Sequence, residues 1–131
     1  MIILDASAIT DMLTNAQPAA EVRRILSEHS ARAVCPHLMD AEVLSAIRRM
    51  LNQGLIEVQQ ADEAVHSLEL LPVARLPHYP LLPRAWALRD NMSAYDALYI
   101  AMAESLDAPL ITTDFKLANT PGHRAEVVAL S

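Results

Sequence analysis

The chain has 131 residues, 53% of them hydrophobic and 20% charged, with a formal net charge of −6. That balance describes one globular domain spanning residues 1–131, and it excludes a disordered chain, a membrane-spanning one and a protein that grips duplex nucleic acid through overall basic charge. With one cysteine and two glycines, an internal disulfide, a zinc site of several thiolates and both glycine-rich phosphate loops are excluded too.

The opening Met1-Ile2-Ile3-Leu4-Asp5 has no basic stretch and an early acid, so it does not read as a targeting segment, and a cytoplasmic protein is expected. Ile2-Ile3-Leu4 reads as a short buried strand, and Ala33-Val34-Cys35, Leu110-Ile111-Thr112 and Val127-Val128-Ala129-Leu130 have the same character. Helical patterning fills the intervals: Ser7 to Leu13, Ala19 to Glu28, Asp40 to Gln53, Ala61 to Leu70, Leu82 to Asp90 and Ala94 to Leu106. Gly54 is placed to close the third helix in a left-handed conformation, and Ser93 with Asp96 three residues later is a capping signature for the last. Pro72, Pro77, Pro80 and Pro83 force an extended or turning path between the fourth and fifth helices. Strand and helix alternating in this way predict an α/β sandwich, a mostly parallel sheet with helices on both faces.

Four carboxylates stand out against that framework. Asp5 and Asp114 each follow an apolar strand, at the carboxyl end where open α/β sheets keep their ligand crevice, although Asp5 also suits the N-cap of the first helix. Asp96 falls on the margin of the apolar face made by Tyr95, Leu98, Tyr99, Met102 and Leu106, where a capping role and a half-buried site role are compatible. Glu42 lies well off the stripe of Val43, Leu44, Ile47 and Leu51, so periodicity alone makes it a solvated surface acid, while nearby Asp40 reads as a helix cap.

Ile3-Leu4-Asp5-Ala6-Ser7-Ala8, the block Asp40 to Arg49, Ser93 to Glu104 with its Tyr95-Asp96-Ala97-Leu98-Tyr99 core, and Ile111-Thr112-Thr113-Asp114 together resemble a PIN domain, and more narrowly the VapC toxins of bacterial toxin–antitoxin pairs. The motifs cover nearly the whole chain in family order. The resemblance implies a Rossmann-like three-layer α/β/α sandwich around a short parallel sheet, and a metal-dependent endoribonuclease whose acids are Asp5, Glu42, Asp96 and Asp114. It sets Ser7 and Thr113 as hydroxyls near the metal, and implies a cognate antitoxin and a homodimer as partners. The pattern departs at Asp114-Phe115-Lys116, where the family places a basic residue directly after the acid and this chain places Lys116 one position later.

Chemistry agrees with that assignment. Hard cations such as Mg²⁺ or Mn²⁺ take oxygen ligands and activate water for attack on a phosphodiester, and these four acids account for most of the net charge. An acidic chain must hold RNA locally, with Arg48, Arg49, Arg84, Arg89 and Lys116 as candidates for the rim of the site. The five histidines show no metal-ligand spacing, Cys35 reads as a buried strand residue, and Trp86, Tyr95 and Tyr99 read as core or interface. A phosphohydrolase with an aspartate nucleophile would want an acid where Ser7 stands, and a receiver-type phosphoacceptor lacks its early acid pair. The remaining alternative is a PIN-like module that binds RNA or protein without catalysis.

Overall fold

Five short strands, β1 (Ile2–Leu4), β2 (Ala33–Pro36), β3 (Ala74–Leu76), β4 (Leu110–Thr112) and β5 (Val127–Ala129), make one sheet in the order β3-β2-β1-β4-β5. The structure is a computed structural model and describes residues 1–29 and 32–131. Every pairing is parallel, and Ile3 at the centre lies opposite Val34 of β2 on one side and Leu110 of β4 on the other. β1, β2 and β4 are buried throughout. A parallel sheet covered on both faces needs uninterrupted apolar runs rather than alternation, which is why these strands read as they do.

The chain steps from β1 to β2 to β3 in one direction and then returns to the far side of β1. This order puts a topological switch point between β1 and β4, and ligand crevices of open α/β sheets lie outside the carboxyl ends of strands at such points. Around the sheet run α1 (Ala6–Leu13), α2 (Ala19–Glu28), α3 (Leu38–Asn52), α4 (Val58–Glu69), α5 (Leu82–Ala87), α6 (Ala94–Leu106) and the short α7 (Phe115–Ala118), with a 3₁₀ turn at Tyr79–Leu81. Right-handed crossovers set α1 to α4 on one face and α5 and α6 on the other. The packing agrees: α1 lies against α2 and α3, α3 against α4, and α6 against α5 and across β1, β2 and β4.

Two elements were hidden in the sequence. β3 sits between Pro72 and Pro77 at the sheet edge, where a strand flanked by prolines is tolerated, and α7 is a single turn after Asp114. Helix starts also differ. α3 begins at Leu38 with His37 as its cap, so Asp40 is not an N-cap; its carboxylate instead accepts from Arg75 of β3, with Nη2 3.0 Å from Oδ1. The same guanidinium donates to the carbonyls of Leu68 and Leu71 at the end of α4, tying the edge strand to two helices. α4 begins at Val58 rather than Ala61, its first turn closed by Gln60 Oε1, which accepts from the Glu57 N–H at 2.9 Å. Gly54, at φ +74°, ends α3 as expected: its N–H reaches the Leu51 carbonyl and that of Leu55 reaches Met50, the paired bonds of a Schellman motif.

α6 is buried without a break from Ala97 to Ala103, so it is a central helix apolar on all sides, with no free apolar face for self-association. At its far end the Glu104 carboxylate takes two bonds from Arg84 (2.7 and 3.0 Å) and one from the Arg124 N–H (2.9 Å), and the Arg84 guanidinium holds its carboxyl down at about 2. Cys35 is buried as expected; burial pushes its thiol up to about 12, and its Sγ lies 3.0 Å from the Leu4 carbonyl. Among the described residues no helix is long and apolar enough to cross a membrane.

Candidate active site

Asp5 leaves the carboxyl end of β1 in an extended conformation and caps α1, its Oδ1 accepting from the Ala8 N–H at 2.9 Å and from the Ser7 hydroxyl at 2.7 Å. Its Oδ2 accepts from the Thr112 hydroxyl at the end of β4. The two hydroxyls are 3.1 Å apart; Ser7 Oγ also accepts from the Thr113 N–H at 3.1 Å, and Thr112 Oγ1 from the Asp114 N–H at 2.9 Å. Two strand ends at the switch point are thus laced together through one buried carboxylate. Asp5 caps α1 and at the same time lines a cleft. The hydroxyls that reach Asp5 are those of Ser7 and Thr112, and Thr113 contributes its backbone N–H to Ser7 Oγ. The missed signal was parity: in a strand that ends at Thr112, that side chain and not the next one turns toward β1.

Asp96 is the third residue of α6. Its N–H donates to Ser93 Oγ at 3.2 Å, so Ser93 caps the helix and the Asp96 carboxylate is left beside the cleft. Asp114 caps α7, its Oδ1 accepting from the Lys116 N–H at 2.9 Å. Glu42 is half-buried rather than solvated, because α3 crosses the cleft mouth opposite α6. All four acids line a single cleft of about 370 Å³, together with Ser7, Thr10, Asp11, Arg49 and Tyr99. Asp11, a fifth acid, and Thr10 were not singled out from sequence; on a half-buried helix next to Asp5 they read as ordinary surface and core positions.

Burial, first of all, lifts the carboxyls of Asp5, Glu42 and Asp96 above their ordinary values. At Asp5 the bonds from Thr112, Ser7 and Ala8 oppose the lift, while the Asp96 charge adds to it. Asp96 feels Asp114 most strongly after burial, and Glu42 feels both Asp96 and Asp5. Without a counter-charge the cleft repels itself.

Unpartnered atoms point the same way. Thr10 Oγ1, Glu42 Oε1 and the Tyr99 hydroxyl are buried without a hydrogen-bond partner, and all three belong to residues lining this cleft. Such groups are costly unless a water or ion completes them. An all-oxygen donor set of carboxylates and hydroxyls fits Mg²⁺ or Mn²⁺ and does not suit a soft metal. Among the described residues no three acidic, histidine or cysteine side chains close tightly enough to wrap an ion by themselves.

The cationic candidates separate. Arg49 lines the acid cleft and an adjoining one of about 440 Å³ formed with Leu38, Ala41, Glu42, Ser45 and Tyr95. Arg48 and Lys116 are exposed and line neither. Arg84 is committed to Glu104, and Arg89 lies over the Trp86 ring, 4.8 Å from its centroid. Of the three aromatics read as core or interface, only Tyr99 is core; Trp86 and Tyr95 are 69% and 62% exposed.

A parallel sheet whose switch point gathers carboxylates from the β1 end, α3, α6 and the β4 end defines an α/β domain with an acidic cleft. Residues 2–122 match the PIN domain family, and the chain belongs to it. It is 42% identical over 127 residues to Ribonuclease VapC1 of Mycobacterium tuberculosis, covering 95% of this chain and 94% of that one. It is 39% identical to Ribonuclease VapC12 of the same organism, covering 97% of each. Among solved structures it resembles PAE2754 from Pyrobaculum aerophilum (TM-score 0.68, 25% identity, 94% of this chain and 88% of that one). It also resembles VapBC2 from Rickettsia felis bound to a promoter DNA fragment (TM-score 0.70, 13% identity, 100% of each chain) and a toxin–antitoxin complex from Klebsiella pneumoniae (TM-score 0.68, 19% identity, 98% and 97%). These likenesses agree with the fold expected from the sequence.

Proposed function

We propose that this protein is a divalent-metal-dependent endoribonuclease, the toxin of a toxin–antitoxin pair. The observation that carries the reading is the convergence of Asp5, Glu42, Asp96 and Asp114, from four separate elements, on one cleft at the sheet's switch point. Ribonucleases related over nearly the full chain supply the substrate class.

Asp5, Asp96, Asp114 and Glu42 would hold Mg²⁺ or Mn²⁺. When bound, the cation activates water and neutralises charge on the phosphodiester oxygens. Everything else falls to the chain's own groups. Ser7 and Thr112 fix Asp5 in one orientation, so its carboxylate needs no rearrangement when a charge arrives. A carboxylate of the cleft left free of the cation can take the proton released by the attacking water. Arg49, shared by the acid cleft and its more apolar neighbour, is placed to take a phosphate oxygen of an RNA strand lying across both. A strand with splayed bases suits this geometry better than a duplex, whose deep groove side chains cannot enter.

Two partners belong to the proposal. A small antitoxin is supported by the structural neighbours solved as toxin–antitoxin complexes. A homodimer is supported by Tyr79, Leu82 and Trp86, large apolar side chains 71%, 54% and 69% exposed around the start of α5. The enzyme works in the cytoplasm, where RNA is available and a free Cys35 thiol persists.

Purified, partner-free protein incubated with total cellular RNA in Mg²⁺, in Mn²⁺ and in excess chelator tests the activity, with new RNA ends mapped. Discrete cuts that vanish in chelator are expected. A folded, metal-loaded protein that cuts nothing would identify a binding module instead.

A further inference from the structure

Glu42 presents a problem of placement. On α3 it lies off the buried stripe of Met39, Val43 and Ile47, where a carboxylate would ordinarily swing into water, yet its Oε1 is fully buried. Among the described residues no ion pair includes it, and no hydrogen bond reaches that oxygen. Tyr99 of α6 lines the same cleft, its hydroxyl buried and without a formed hydrogen bond, and near enough to the Glu42 carboxylate for each to act on the other's proton affinity.

Tyr99 is only 2% exposed, and its hydroxyl is equally unpartnered. Buried tyrosines usually find a partner for that group, and a phenylalanine would fill the same apolar volume without the cost of an unpaired polar atom. Tyr99 also lies three residues after Asp96, one turn along the same helical face. One helix therefore carries both a carboxylate of the cleft and a hydroxyl aimed at the carboxylate across from it.

We propose that the Tyr99 hydroxyl is the positioning group for Glu42, donating to one carboxylate oxygen so that the other is presented to the cleft. This rests on the reading of the cleft as a cation site. The donor on α6 substitutes for the water that would draw Glu42 outward, and it sets the carboxylate's rotation before the cation arrives. Hydrogen-bonded partners of ligating carboxylates act in this way, and their loss typically weakens metal affinity by about 10–100-fold. Tyr99 is a positioning residue in this proposal, acting through Glu42.

The test is a titration of the RNA-free protein with Mn²⁺, free ion being followed by electron paramagnetic resonance, in wild type, Tyr99→Phe, Glu42→Gln and the double variant. Tyr99→Phe is expected to weaken Mn²⁺ binding about tenfold, and to weaken it no further once Glu42 is already glutamine. Thermal unfolding without metal keeps the result interpretable: Tyr99→Phe should melt within a few degrees of wild type, because losing the bond to Glu42 and no longer burying a hydroxyl oppose each other. Unchanged Mn²⁺ affinity in Tyr99→Phe would overturn the proposal. So would an equal loss in the Glu42→Gln background, or a metal-free melting point well below wild type, either of which marks the hydroxyl as structural. Wild type that binds no Mn²⁺ would overturn the cation site itself and this proposal with it; wild type that binds Mn²⁺ but cuts no RNA would overturn the nuclease reading alone.

Discussion

Asp96→Asn is expected to lower RNA cleavage about 10³-fold at saturating Mg²⁺ while leaving the protein folded, as read by mapped RNA ends together with a thermal melt. The substitution keeps the shape of the side chain and the N–H bond to Ser93 Oγ, so α6 retains its cap. What it removes is one charge from a cleft in which burial and Asp114 already oppose that charge. Cation stabilisation of a phosphodiester transition state amounts to several kcal/mol, and losing about 4 kcal/mol of it is a thousandfold in rate. For the metal-free fold two small effects oppose each other. A carboxylate in the first turn of a helix contributes roughly 0.3–1 kcal/mol with the helix dipole, whereas relief of repulsion within the cleft works in the other direction. The melting temperature should move by no more than a few degrees. Cleavage within tenfold of wild type would remove Asp96 from the active site.

Divalent metal is expected to raise the melting temperature of the wild-type protein by about 10 °C at a hundredfold excess over its dissociation constant, through roughly 2.7 kcal/mol of linked binding energy. The effect should depend on pH in a defined sense. The carboxyls of Asp5, Glu42 and Asp96 are raised in the folded chain, so the fold holds more protons than the unfolded chain between the ordinary carboxylate range and the raised values. Metal-free stability therefore falls as pH rises from the ordinary carboxylate range through the raised values. Glu104 behaves oppositely. Its carboxyl is held down at about 2, so the stability it contributes is present above the ordinary glutamate range and is lost only as pH falls toward that value. The two effects lie on opposite sides of the ordinary carboxylate range, that of the cleft above it and that of Glu104 below it. A bound cation supplies the missing counter-charge, so the slope should flatten in Mg²⁺ or Mn²⁺. A melting temperature unmoved by either metal at every pH would contradict the cation site.

Much of this was legible in the residues. β1, β2 and β4 were readable because strands buried on both faces need continuous apolar runs, β5 from its short apolar run alone, and the long helices because their apolar positions recur at helical spacing. β3 was not, since an edge strand of three residues between Pro72 and Pro77 has neither length nor alternation to announce it. Asp5 and Asp114 could be placed at strand ends by chain order alone. Glu42 could not: its position on the wheel is that of a surface acid, and only the approach of α6 across the sheet encloses it. Its place came from resemblance rather than from periodicity. Thr112 and Tyr99 escaped for a related reason, because their importance lies in what they face across the cleft and not in any local pattern. Asp40 shows the converse, a carboxylate in the same block that the fold commits to Arg75 instead.

The most direct measurement of the central claim is anomalous X-ray scattering from crystals of this protein grown with Mn²⁺. A peak inside the cleft bounded by Asp5, Glu42, Asp96 and Asp114, lost in crystals of Asp96→Asn, is the result expected. Mn²⁺ bound elsewhere, or a cleft that stays without a peak at saturating metal, would contradict the account.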